Sequence, residues 1–330
     1  MLFLPFADTS VNLLTIFTIG LIAGVTGGVF GNFANSAIVP VLHIFGLPLP
    51  ISVSAGASLD FGRTSLSFIT GRDDRLAYRR IGITSGLIGL LGVYLGFKLH
   101  MILKETSYGT AFIEMCYPLI LMAGAVTVFL QWKYFNRNHY YDVAPFPAFG
   151  LNWRFPLAIP GGSGLSRVTV SRITLVGMLL GITTGMLGLG AGVLGISLFM
   201  YILGLPPENA TATDAIAMSL IGSGTIFLYA AAGQAEFLLI LILILAVTVG
   251  CHIGAALPGE MNQSHARLLF SASLAIVALA ALLRPYSATV SGLVIQLTGI
   301  ALCGFIIINS LFTQRVVARE KRAAHNRNPV

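Results

Sequence analysis

Charge is what this sequence has least of. Asp, Glu, Lys and Arg make up 9% of 330 residues, against a hydrophobic share of 56% and a mean hydropathy of +0.87. That balance excludes an ordinary soluble domain and points to an integral membrane protein. Cysteine is nearly as scarce. Cys116, Cys251 and Cys303 are odd in number, widely spaced and set in apolar runs without a CxxC, so they read as lipid-facing or core residues. No HExxH, G-x-S-x-G or Walker A sequence occurs, which leaves ATP-driven transport and the familiar membrane hydrolases unsupported and implies no cofactor, metal or catalytic residue. The opening MLFLPFADTS lacks the basic n-region of a signal peptide, so the chain is expected to begin as mature protein.

What is present is a series of long apolar runs. A hydrocarbon core of ~30 Å takes about 20 apolar residues to cross as a helix, and 11–31, 51–70, 81–102, 112–132, 172–190, 212–232, 236–257, 266–283 and 288–312 qualify. Shorter apolar pieces at 34–47 and 192–204 follow the first and fifth. The runs do not alternate in polarity, so helices rather than a barrel satisfy their backbone.

The first run contains GVTGGVFGNFANSAIVP, residues 24–40, a helix-weakening stretch where a helix should be. It occurs again as GITTGMLGLGAGVLGIS at 181–197: Gly24, Thr26, Gly28, Gly31 and Ala34 match Gly181, Thr183, Gly185, Gly188 and Ala191. After a one-residue slip Gly46-Leu47-Pro48 matches Gly204-Leu205-Pro206, and each is followed by a Ser/Thr/Ala-rich start, SVSAGAS or NATATDA. The expected fold is therefore an all-α polytopic membrane protein of two repeats. Each repeat comprises a broken helix hairpin and three longer helices, with an extra C-terminal helix. The divisions are 1–131, a Pro- and aromatic-rich linker at 132–170, 171–284, a terminal helix at 285–313 and a basic tail at 314–330.

Charge sets the expected orientation. If each break is a hairpin, the repeats are inverted, and Arg72, Arg75, Arg79, Arg80, the linker, the 258–267 loop and the tail share one face. That face then holds most of the 19 Lys and Arg residues. The positive-inside rule makes it the cytoplasm and puts the N-terminus outside. Topology and anionic lipid then account for the net charge of +7 without nucleic acid.

Polar residues inside the runs are the candidate site. Small residues spaced by four, Gly20, Gly24 and Gly28 or Gly177, Gly181 and Gly185, read as helix-packing surfaces. Gly31, Asn32, Asn35, Gly188, Gly190 and Gly192 fall at the breaks, where glycine lets backbone approach a ligand and helix N-termini favour an anion. Asp60 and Arg63 lie mid-span, where a charge costs at least ~2.5 kcal/mol and faces a cavity, a partner or a substrate path. Their spacing allows an internal ion pair, and a guanidinium is also the preferred fork for an oxyanion. Thr211, Thr213 and Asp214 open the matching helix and fit a capping box; Ser52 and Ser54 hold related places in the first repeat. His43, Asp214 and His252 are candidates for proton coupling, and Glu114 reads equally as an interfacial carboxylate or a proton carrier.

Together, GVTGGVFGNFANSAIVPVLHIFGLP with SVSAGAS, and GITTGMLGLGAGVLGISLFMYILGLP with NATATDAIAMS, resemble the sulfite and organosulfonate exporter family TauE/SafE. Asn32, Phe33 and Asn35 stand where glycine is common in that pattern. The resemblance implies a bacterial or archaeal inner-membrane permease of eight or nine helices that moves a small sulfur-containing or organic anion without ATP. A small anion and membrane lipids are then the partners, a second copy of the chain is allowed, and alternating access between the repeats is the expected mechanism.

Overall fold

The computed structural model describes residues 2–4, 9–30, 38–70, 78–106, 108–137, 170–189, 192–256 and 263–283, with isolated positions 294 and 298. Gly31, Asn32, Asn35, Gly190, most of the linker, the terminal helix and the tail lie outside the described residues. A short antiparallel ribbon comes first, Leu2–Leu4 (β1) against Thr9–Val11 (β2), with Leu2 opposite Val11. Among the described residues ten helices follow: Leu13–Phe30 (α1), Ile38–Ile44 (α2), Leu49–Thr70 (α3), Arg79–Glu105 (α4), Gly109–Arg137 (α5), Val170–Leu187 (α6), Val193–Tyr201 (α7), Pro207–Ala231 (α8), Phe237–Ala256 (α9) and Gln263–Leu283 (α10). The expected all-helical membrane fold is what the chain adopts. Among the described residues α4, α5, α6, α8 and α9 contain spans long and apolar enough to cross a bilayer.

These helices are apolar on every side, so their faces differ in size rather than polarity. On α4, Gly82, Gly86, Gly89, Gly92 and Gly96 point inward while Ile83, Leu87, Leu91, Leu95 and Ile102 point out. Lipid gives helices no hydrophobic reason to associate, so close van der Waals contact through small residues must hold them. The glycines provide it. A Cβ on Gly177 would strike the Ser85 carbonyl, one on Gly181 the Gly89 carbonyl and one on Gly185 the Val93 carbonyl. Both sets of numbers rise together, so α4 and α6 run parallel. Gly20, Gly24 and Gly28 meet Ala246, Gly250 and Gly254 in the same manner, making α1 and α9 parallel. Gly82 and Gly86 against Ile216 and Leu220 make α4 and α8 parallel as well.

The packing repeats when the two halves are exchanged. α4 lies on α6 as α9 lies on α1, α4 on α8 as α9 on α3, and α2 on α3 as α7 on α8, while α3 with α8 and α5 with α10 pair across the halves. One apolar cluster centres on α6, α7 and α8, a second on α1, α3 and α9 and a third on α2, α5 and α10. A fourth joins the halves where Val39 and Val53 meet Leu187 and Leu189.

Both Gly-Leu-Pro segments are helix stops. Gly46 (φ 94°) and Gly204 (φ 71°) take the left-handed conformation glycine tolerates. Gly46 donates to the His43 carbonyl and Leu47 to the Leu42 carbonyl, closing a Schellman motif. At Gly204 the loop closes more widely, Gly204 to Met200 and Leu205 to Phe199. The one-residue slip falls in this turn: α2 ends two residues before Gly46, and α7 three residues before Gly204.

One local expectation is overturned. Thr211 to Asp214 form no capping box, because α8 begins earlier, with Pro206 at the N-cap, Pro207 in its first turn and no side-chain cap. A proline at the first helical position has its fixed φ already suited to the helix and no N–H to leave unpaired. Thr211, Thr213 and Asp214 consequently sit inside the helix, where the Thr213 and Asp214 side chains make tertiary contacts. α5 likewise continues through Trp132–Arg137, further than the linker boundary implied.

Candidate functional site

The second break, from the end of α6 to the start of α7, lies in the interior. Gly188 is buried at φ 66° and Gly192 at φ 85°. Gly188 packs so closely on the first repeat that a Cβ there would be 3.0 Å from Cγ2 of Val39 and 3.1 Å from the Val53 carbonyl oxygen. A side chain there would need Val39 or the Val53 backbone to give by a few tenths of an ångström, and the positive φ would strain it as well.

A helix ending inside a membrane protein leaves four carbonyls without intrahelical donors. At α6 all four are satisfied. The Gly188 amide donates to Thr184 O at 2.8 Å, the Tyr229 hydroxyl to Gly185 O at 2.9 Å, His100 Nδ1 to Met186 O at 2.7 Å and the Tyr117 hydroxyl to Leu187 O at 2.9 Å. The three side chains come from α8, α4 and α5, and all are buried. The rings of Phe97 and His100 pack edge-on against Tyr229, with centroids 5.1 and 5.6 Å away. The negative end of α6 is thereby fastened to three other helices. Tyr117→Phe and Tyr229→Phe should each leave one buried carbonyl without a donor, at a cost of about 1–3 kcal/mol. Unfolding of the purified variants in mixed micelles measures this; an unchanged midpoint for both would contradict it.

The opposite end of the break belongs to α7. Asp214 of α8 is fully buried there, its Oδ2 3.4 Å from the Gly192 amide nitrogen. Its carboxyl also lies against Gly195, where a Cβ would collide with it. A carboxylate placed at a helix N-terminus is stabilised by the helix dipole. Neighbouring Thr213 accepts a hydrogen bond from the Tyr78 amide at 3.1 Å, tying α8 to the start of α4.

The remaining expected residues are distributed differently. Ser52 and Ser54 are buried but donate back into their own helix, to Pro48 O at 3.2 Å and Ile51 O at 2.9 Å. Asp60 is buried on α3 and engaged by its surroundings. Arg63 belongs to α3 by its backbone, and its side chain is outside what the structure describes. Thr211 is half-buried, and His252 is exposed on α9. His43 contacts Glu114 of α5, with Nε2 and Oε1 3.0 Å apart. Among the described residues no group of three or more His, Cys, Asp or Glu could hold a metal ion.

Tyr117, Tyr229 and His100 were not anticipated. The one available signal was that a tyrosine deep in an apolar helix needs a partner for its hydroxyl, and nothing in the sequence says that the partner is a helix end. Comparison with known proteins bears on the same region. A protein-family model described as Sulfite exporter TauE/SafE matches residues 16–281, spanning both breaks and every helix from α1 to α10. No curated protein and no solved structure gives a significant match.

Proposed function

Because the chain belongs to the sulfite exporter TauE/SafE family, a transporter family, we propose that it is a secondary transporter of sulfite, a sulfonate or a related small anion. The observation that carries this reading is the interior second break. Its two helix ends differ in chemistry: the carbonyl end of α6 is closed by Tyr117, His100 and Tyr229, whereas the amide end of α7 already receives a carboxylate, Asp214. A transporter built on broken helices uses such amide ends for anionic groups. In this reading Gly31, Asn32, Asn35, Gly188, Gly190 and Gly192 line the path, Arg63 beside Asp60 supplies the counter-charge, and Ser52, Ser54, Thr211 and Thr213 border it.

Helix directions support inverted repeats and alternating access. A chain that leaves the bilayer after α8 and re-enters five residues later, after Ala232–Glu236, must cross back the other way. α9 is then opposed to α8. Since α1 parallels α9 while α6 and α8 parallel α4, the first helices of the two halves point in opposite directions. The chain is multi-pass, and basic residues between α3 and α4 favour a cytoplasmic position for that loop in a bacterial or archaeal inner membrane.

Proteoliposomes loaded with unlabelled sulfite test the function. Uptake of radiolabelled sulfite should be saturable and competed by sulfonates. A thermal-shift screen against sulfite, thiosulfate, sulfonates and small carboxylates checks binding separately, since a ligand at about one hundred times its Kd adds about 2.7 kcal/mol to the folded state. No exchange with any of these anions would return the chain to a structural or sensory role. Unsaturable currents would make it a channel.

A further inference from the structure

The imidazole of His43 is held at both nitrogens. Nδ1 lies 2.8 Å from the Leu47 carbonyl oxygen and Nε2 3.0 Å from Oε1 of Glu114. A carbonyl can only accept, so Nδ1 carries a hydrogen. Nε2 and Oε1 then share one proton: an imidazolium donates to a carboxylate, or a carboxylic acid donates to the neutral ring. Without that proton two lone pairs confront each other across the contact. The ring must then either turn its remaining hydrogen to Glu114 and release Leu47, or lose Glu114.

Leu47 is the buried centre of the turn joining α2 to α3. Occupancy of the shared proton therefore decides how firmly α2 and its turn are fastened to α5. On α5 the backbone at this place is compliant, because Pro118 offers no N–H to the carbonyl of Glu114. The two side chains are 12% and 37% exposed, so the contact is held in the fold without being sealed off by protein.

Among the described residues, few other titratable groups lie on the elements packed against α2. α2 packs on α3, α10, α1 and the Leu121–Val128 face of α5. Beyond Glu114, α5 has Cys116 and Tyr117 within a turn, and Lys133, Tyr134 and Arg137 at its far end. α1 has no titratable side chain. Asp60 and Arg63 on α3 are about 16 Å or more further along, at 1.5 Å rise per residue. His265 and Arg267 of α10 belong to its first turns, whereas its packing residues against α2 begin at Leu274.

The geometry points to the His43–Glu114 pair as the proton-binding site that couples transport. A proton taken up on one side of the membrane fastens the α2–α3 turn to α5, and its release to the other side frees that turn. This deepens the transport reading and rests on it.

Glu114→Gln tests it. The amide N–H donates to Nε2 while Nδ1–H stays on Leu47, so the fastening is kept and the shared proton is removed. Two fluxes are measured in pyranine-loaded proteoliposomes at alkaline pH, with protein-free liposomes correcting for passive sulfite: exchange of radiolabelled sulfite, and proton movement driven by a sulfite gradient. Wild type should do both. Glu114→Gln and His43→Gln should keep exchange but lose the proton movement, and the change of sulfite affinity with pH, about ten-fold in wild type, should vanish. Proton movement per sulfite equal to wild type in both variants would overturn the assignment, as would a wild type that exchanges sulfite without moving protons, even if neither variant folds. A wild type with no sulfite exchange fails the transport reading itself and takes the coupling with it.

Discussion

Gly181→Leu is expected to leave no folded protein in the membrane. A Cβ at this position would lie on the Gly89 carbonyl and 2.9 Å from the Gly92 Cα, both backbone groups of α4. No rotamer relieves a clash that begins at Cβ, so the two helices must separate. The contact continues for several turns, through Gly177 on Ser85 and Gly185 on Val93, and lengthening it at one point loosens it at the others. Overpacking a core that can adjust costs about 1–3 kcal/mol; a backbone against a backbone cannot adjust, which puts this substitution among the changes above about 4–5 kcal/mol. Gly181→Ala carries the same Cβ and should also lose most of the folded yield. Gly46→Ala is the informative contrast: its φ is 94°, yet nothing lies within 4 Å of an added Cβ. Only backbone strain of about 1–3 kcal/mol opposes that change. Monodisperse yield of fluorescent fusions measures all three. A folded Gly181→Leu beside an unfolded Gly46→Ala would refute the interlock.

That contrast also marks what could be read from the sequence. Gly24 and Gly181 were recognisable as packing positions by their spacing, but their partners were not. Gly24 meets Gly250 and Gly181 meets Gly89, on helices far away in the chain. Where every face is apolar, polarity does not say which side is inside, and only side-chain size carries the information. Gly46 and Gly204 were legible because a helix stop is a local event with a residue suited to it. Asp214 was legible as polar and inside the span, yet the capping reading failed because Pro207 sets the start of α8. Glu114 was left undecided because His43, its partner, is 71 residues distant. Tyr117, His100 and Tyr229 gave no pattern at all, since what unites them is the end of α6, a feature that exists only after the helices have assembled.

Arg63→Gln is expected to assemble normally and to lose sulfite transport. α3 is buried at every residue from Leu49 to Asp60, and Arg63 follows within the same apolar run of the sequence. Inserting it costs at least ~2.5 kcal/mol, and glutamine removes that cost while keeping amide donors. What glutamine cannot keep is the counter-charge to a bound anion. Losing one partner of a desolvated charge pair costs about 2–5 kcal/mol, equivalent to a loss in affinity of about 30- to several thousand-fold. An ion pair with Asp60 predicts something different. There Arg63→Gln would strand a buried carboxylate, at about 3–5 kcal/mol of stability, and the protein would not assemble. The double substitution Asp60→Asn with Arg63→Gln separates the two. For an internal ion pair it restores assembly and flux together, because both charges have gone. For a substrate site it restores no flux, because the anion still meets no cation. Yield and radiolabelled sulfite exchange, measured on the same preparations, decide between a guanidinium that holds the helix and one that holds the substrate.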